Sequence, residues 1–206
     1  ENRSVAMKPS DPDEPDVPTP PSDIEGQTQL ARASLLESQA WVDSAAGNEQ
    51  AAWDGWRQSL KIRRAHINEN LEDLNALQVF TESLRLNAWY EWKFGQRDVA
   101  FALLQECYGE ANQLYLASKT PSAMAEFVLI CSLYGSILKI DGDNDQARLM
   151  FEESLELRQY LAAVEPDLAG GKMSFLFDLA SLADLEYWED NFERAMELYL
   201  EELAMV

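Results

Sequence analysis

The sequence predicts an all-α fold built from four stacked helix pairs. Three observations carry that reading. From Gln27 onward the apolar residues recur at helical spacing, with Leu30, Ala33, Leu36 and Ala40 on one face. Glycine and proline are confined to turns or isolated helix positions, and no strand-like alternation bounded by hairpin signals occurs. The helical pattern also repeats. Aligning Ala52, Ala100, Ala147 and Ala195, at separations of 48, 47 and 48 residues, brings many other positions into register.

Residues 1–27 precede the repeats. They hold six of the eight prolines, and DPDEPDVPTPPSD has no apolar periodicity to offset the entropy of folding. This segment reads as an acidic, proline-rich tail or linker with polyproline character. The repeat domain then spans 28–206, in units of about 28–68, 69–120, 121–166 and 167–206.

Within each unit the register is preserved on both sides of a turn. Five residues before the alanine stand Gly47, Gly95, Gly142 and Asp190, which mark the turn itself. Four residues after it stand Trp56, Leu104, Phe151 and Tyr199; eight after it stand Leu60, Tyr108, Leu155 and Leu203. Upstream, Leu36, Leu84, Cys131 and Leu179 form an apolar column. Ala40, Ala88, Gly135 and Ala183 form a small-residue column, and Val42, Tyr90, Ile137 and Leu185 a third. One pair cannot bury both its faces, so stacking of pairs is expected to supply the missing contact.

This pattern resembles the tetratricopeptide repeat. In the third unit the matching residues are Gly135, Gly142, Asp143, Ala147 and Phe151; in the fourth they are Ala183, Asp190, Asn191, Ala195 and Tyr199. The resemblance covers roughly Thr28 to Val206 and implies a right-handed superhelical solenoid. The period departs from the family's length of about 34 residues, and no regular proline follows the second helix. The additional length falls between the second helix of one unit and the first of the next, so longer helices and longer inter-unit loops are expected. In the first unit Gln39 replaces an apolar residue, which suits a terminal unit with one exposed side. At the other end Leu200, Leu203 and Met205 remain on the last helix with no polar cap after them. The expectation there is a longer array or another chain covering the end.

Charge and motif content narrow the function. Sixteen basic against 37 acidic residues, a net charge of −21, argue against phosphate-mediated binding to nucleic acid and against an anionic membrane surface. No apolar run approaching the roughly 20 residues of a membrane span is apparent. Cys107 and Cys131 suit buried thiols rather than a zinc site; a bridge between them would need an oxidising compartment. His66, the only histidine, supports neither a catalytic relay nor a multi-histidine metal site. The string DGDND at 141–145, with Glu152 in twelfth place, has the acids of a calcium loop but Gln146 where the sharp bend needs glycine. It reads as an acidic turn favouring the following helix N-terminus. With no phosphate loop, HExxH string or nucleophile elbow, neither enzymatic activity nor a cofactor is expected.

What the resemblance implies is a groove lined by first helices. The corresponding positions are Glu37, Trp41 and Ser44 in the first unit, and Arg85, Trp89, Trp92 and Lys93 in the second. The third and fourth supply Ser132, Ser136 and Lys139, then Asp184, Tyr187 and Trp188. Aromatic and arginine side chains anchor interfaces because they bury much area and keep a polar handle. Arg85, Lys93 and Lys139 further predict a locally basic groove that receives an acidic protein or peptide segment. Two other expectations follow: self-association through the tail or the exposed C-terminal repeat, and occupation of the groove by the tail as a self-peptide, in which case deleting residues 1–22 raises affinity for an external peptide. The alternative function is a structural or regulatory repeat segment that stacks on further repeats or an effector domain, without a free peptide ligand.

Overall fold

The computed structural model describes residues 22–70, 72–168 and 171–205. Eight α-helices and one short 3₁₀ turn make up the described chain, which holds no strand. They are α1 (Ser22–Ala45), α2 (Glu49–Glu69), α3 (Leu74–Lys93), α4 (Arg97–Ser118), α5 (Pro121–Asp141), α6 (Asn144–Val164), α7 (Gly171–Trp188) and α8 (Phe192–Met205), with Pro166–Leu168 forming the 3₁₀ turn. Each unit of the register is one helix pair, and each helix packs on the next in the chain. First helices also approach one another. The backbones of α3 and α5, and of α5 and α7, come within 8 Å between Cα atoms, whereas no two second helices of neighbouring units do so among the described residues.

The four intra-unit turns have one construction. Gly47, Gly95, Gly142 and Asp190 all lie in the left-handed region, at φ 79°, 78°, 92° and 64°. In each, the amide of the following residue donates to the carbonyl five positions back: Asn48 to Asp43, Gln96 to Glu91, Asp143 to Leu138 and Asn191 to Glu186. These bonds satisfy carbonyls that the helix end would leave unpaired. A Cβ added at Gly142 would meet nothing within 4 Å, so its cost is conformational alone. Gly142→Ala is therefore expected to lower stability by about 1 kcal/mol, and Asp190→Gly to raise it by about the same amount. Denaturant midpoints of the two variants check this; two neutral results would contradict the left-handed turns.

The extra length of the repeat goes into the helices. Expected long inter-unit loops are absent at the first two junctions, where only residues 70–73 and 119–120 intervene. Lys119 closes α4 in the left-handed conformation, and the Thr120 side chain at once caps α5 by accepting from the Ala123 amide, with Pro121 in the first turn. Proline suits that position because its missing N–H is not needed there. At the other end of the chain α1 starts at Ser22, so residues 22–27 are helical rather than part of the tail. Its polar first turns carry no apolar periodicity to signal a helix. Residues 1–21, and with them the tail as a self-peptide, lie outside the described residues.

The columns read from the sequence form the core. Ala52, Ala100, Ala147 and Ala195 are buried, as are Ala40, Ala88, Gly135 and Ala183 where the two helices of a pair cross. The crossing is close: a Cβ on Gly135 would stand 3.1 Å from the Phe151 ring. Columns break at the ends, where Val42 is exposed in the first unit and Tyr199 and Leu203 in the last. Gln39 is exposed and donates to Asp43, as suits a unit with one uncovered side.

One expectation from composition is corrected. Helix α5 is long and apolar enough, by length and composition, to cross a membrane. Its place in the array accounts for that apolarity: it touches α3, α4, α6 and α7, and Phe127, Val128, Ile130, Cys131, Ile137 and Leu138 are all buried. Both cysteines are free and buried, and burial pushes both thiols up from their ordinary value. The Cys107 thiol donates to the Thr81 carbonyl at 3.3 Å.

Candidate binding face

Two buried ionic layers support the face formed by α1, α3, α5 and α7. Between the first and second units, Arg63 of α2 donates to both carboxylate oxygens of Glu37, at 2.7 and 2.6 Å, while Ser59 and Ser83 donate to Glu37 Oε1. Between the third and fourth, Arg158 of α6 donates through Nε to Asp178 Oδ2 at 2.9 Å, and Ser132 and Ser154 donate to the same oxygen. In both layers the arginine is eleven residues after the unit's alanine and a serine seven after it. The acid and the second serine exchange places. Glu37 stands on the first helix of its unit with Ser83 on the next, whereas Ser132 stands on its unit and Asp178 on the next. The middle junction places Cys107 and Ala111 at those second-helix positions instead, and is tied by Arg85 to Glu126 at 2.7 Å.

Burial opposes the charged form of Glu37. Hydrogen bonds from Arg63, Ser59 and Ser83, with the Arg63 charge, outweigh it and hold the carboxyl below its ordinary 4.5. Asp184 behaves alike: burial acts against it, but Lys139 and Tyr199 hold it below 3.8. The Tyr199 hydroxyl, donating to Asp184, is itself pushed up to about 12. Glu186 is also lowered, burial being outweighed chiefly by Arg148. Glu126 goes the other way, because burial outweighs Arg85. A lowered folded pKa gives stability that is complete above the unfolded value and is lost as pH falls through the folded one; Glu126 has the opposite sign. Glu110 is raised too, by burial and then by Glu106, so three lowered groups stand against two raised ones, and the denaturant midpoint is expected to drop as pH falls below about 4. A midpoint unchanged between neutral pH and that range would contradict the assignment.

The predicted residues divide into three sets. Trp41 and Arg85 line a cavity of about 240 Å³ between α1 and α3, with Glu37, Trp56 and Glu82. Ser136, Lys139 and Asp184 line another of about 310 Å³ between α5 and α7, with Phe177. Trp41, 56% exposed, rests edge-on against buried Trp56, with ring centroids 5.2 Å apart, and Trp89 is 45% exposed. The second set, Tyr187 and Trp188, is exposed at the last turn in a T-shaped pair that continues to Phe192. The third set fills structure instead. Trp92 is half-buried, edge-on against Phe101 with Arg97 over its ring, and Lys93 reaches Glu49 at 2.7 Å.

The cations do not make this face basic. Arg85 is paired with Glu126, Lys93 with Glu49, and Lys139 with Asp184 at 2.9 Å while also donating to the Ser181 carbonyl. Glu82 adds an acid beside Arg85. The residues that sequence reading missed, Glu82 and Phe177, share a column eighteen before the alanine, one turn upstream of the positions chosen. Continuing the helical stripe by that turn would have found them. The acids of 141–145 have structural partners: Asp141 pairs with Arg97, Asp143 caps α6, and Asp145 pairs with Arg148.

Larger cavities lie away from this face. One of about 560 Å³ is lined by Gly26, Lys61, His66 and Glu69; another of about 520 Å³ is lined by Tyr115, Met124 and Tyr160. These two share register positions, Gln29, Lys61, Ile62 and Ala65 of the first corresponding to Met124, Glu156, Leu157 and Tyr160 of the second, just as the two smaller cavities occupy equivalent places between successive first helices.

These features define an all-helical repeat fold. No family model matches the chain, and no curated protein matches it in sequence. Among solved structures it is similar to the crystal structure of BtubC (BKLC) from P. vanneervenii, with a TM-score of 0.67 and 15% identity over 84% of this chain and 62% of that one. The chain thus spans about 62% of the length of BtubC, and at this identity the likeness is one of fold. The DHF119 filament aligns over 88% of this chain and 93% of that chain at 17% identity, with a TM-score of 0.40.

Proposed function

We propose that this chain is a protein-interaction module, scaffold or sensor, of tetratricopeptide-like repeats wound as a right-handed solenoid. A partner segment lies along the groove of its first helices. The observation that carries this reading is the closer approach of the first helices from α3 onward: α3, α5 and α7 meet at backbone level, whereas α1 and α3, and the second helices of neighbouring units, do not among the described residues, which supports an array curving toward the face that bears the Lys139 cavity. Exposed aromatics beside ion pairs suit a partner with apolar anchors and mixed charge better than a purely acidic peptide.

The test is affinity capture from the source organism, followed by titration of the purified partner. Trp41→Ala with Trp89→Ala should weaken binding at least about tenfold while helicity is unchanged. Unaltered affinity would overturn the groove reading. Trp92 is unsuited to this test, because its ring packs against Phe101. A second reading, a segment that stacks on other repeats without a free ligand, is favoured by the exposed apolar face of α8, where Met196, Leu200 and Leu203 lie uncovered.

A further inference from the structure

Four times among the described residues an aromatic ring and a carboxylate hold one cation between them. The Arg57 guanidinium stands 4.8 Å from the Trp53 ring centre and 3.0 Å from Glu91; that of Arg97 stands 5.1 Å from Trp92 and 3.1 Å from Asp141. Lys93 lies 5.8 Å from the Tyr90 ring centre and 2.7 Å from Glu49, and Arg64 joins Phe80 to Glu106. Each set draws on at least two helices, so the cation ties separate elements together. The cause is common to all four: the negative face of a ring and the charge of a carboxylate both favour a cation.

The cavity between α1 and α3 brings ring and carboxylate together a fifth time, without a cation of this chain. Trp41 from α1 and Glu82 from α3 both line it, and its volume of about 240 Å³ suits one side chain. Trp41 is 56% exposed, is held by its T-shaped contact with Trp56, and has no Lys or Arg over its ring among the described residues. Glu82 forms no ion pair or hydrogen bond among the described residues. Arg85, which also lines the cavity, donates to Glu126 instead, at 2.7 Å, and Glu37 is already matched by Arg63. With those charges cancelled in pairs, Glu82 leaves one negative charge beside an exposed indole. The backbones of α1 and α3 do not come within 8 Å between Cα atoms, which leaves room for a side chain from outside.

We propose that this cavity receives a lysine or arginine side chain of the partner, an inference that rests on the groove reading above. The indole of Trp41 then lies against the cation and the Glu82 carboxylate beside it. A net charge of −21 draws a basic segment toward the chain, and the unmatched Glu82 gives its cation a place to dock. A carboxylate anchor would meet Glu82 as a like charge and would need Arg85, which Glu126 already occupies. A purely apolar anchor would cover Trp41 but bury Glu82 without a partner.

Phage-displayed random peptides selected on the purified chain test this. Binders that Trp41→Leu no longer retains are synthesised with each basic residue kept, replaced by norleucine or replaced by glutamate. All forms are titrated calorimetrically against the unaltered chain and against Glu82→Gln. Expected is one basic position at which norleucine weakens binding at least about fivefold and glutamate more, with Glu82→Gln removing most of that preference. Added salt should weaken the basic form more than the norleucine form. Glu82→Gln should not lower the denaturant midpoint, since its side chain has no partner to lose, which separates lost binding from lost folding. Trp41-dependent binders that are indifferent to norleucine, or that require a carboxylate, would overturn the proposal and leave the groove reading standing. Failure to recover any Trp41-dependent binder would overturn it too. The groove reading falls with it only if the captured partner binds the Trp41 and Trp89 double variant with unaltered affinity.

Discussion

Replacing Arg158 by methionine is expected to lower the unfolding free energy by about 3–5 kcal/mol, because it leaves a carboxylate buried without its counter-charge. Asp178 is 0% exposed and Arg158 1%, so water cannot take over the lost interaction. Ser132 and Ser154 would still donate to Asp178, but two neutral hydroxyls cannot replace a guanidinium. The double change Arg158→Met with Asp178→Leu should recover most of the loss, since a packed apolar pair of similar volume is often as stable as a buried ion pair. Arg63→Met should cost less than Arg158→Met, because Glu37 keeps a path to solvent at 17% side-chain exposure. Urea unfolding of the four proteins measures this. A double variant no more stable than Arg158→Met would show that the layer does more than neutralise itself.

The fold is legible because stacking writes itself into sequence at a fixed interval. Each unit needs a small residue where its helices cross, a left-handed residue at its turn and a large apolar one above it. Those needs produce the columns to which Ala88, Gly142 and Phe151 belong. The candidate binding face is less legible for a physical reason. A side chain on the first helix has its partner one unit away, as Arg85 with Glu126 and Lys139 with Asp184, so local sequence shows the cation and not the carboxylate that neutralises it. Trp92 misleads for a related reason: its position in the unit matches Lys139, but Phe101 and Arg97 at the adjacent turn draw its ring into packing. The ionic layers are hidden by their exchange of acid and serine between columns, which column-by-column comparison reads as loss of pattern. Their constant part, serine and arginine four apart at Ser59 and Arg63 and again at Ser154 and Arg158, is present in the sequence.

Trp56 ties stability to the proposed binding face. It is 1% exposed, packs with Ala40, Ala52 and Tyr90, and carries Trp41 on its ring edge. Trp56→Ala is expected to cost about 3–5 kcal/mol, the range for deleting a fully buried aromatic. Its indole N–H has no acceptor among the described residues, however, so part of its burial is unfavourable. Trp56→Phe removes that donor while keeping most of the ring, and its cost is expected at only about 1 kcal/mol. Denaturant midpoints separate the two: a phenylalanine variant as unstable as the alanine one would mean that the indole N–H is satisfied in solution. The same pair tests the groove. Phenylalanine retains an aromatic edge for Trp41 and should preserve partner affinity, whereas alanine removes the support beneath Trp41 and should weaken binding even at denaturant-free conditions where the chain remains folded. Equal affinity for both would place the partner away from Trp41.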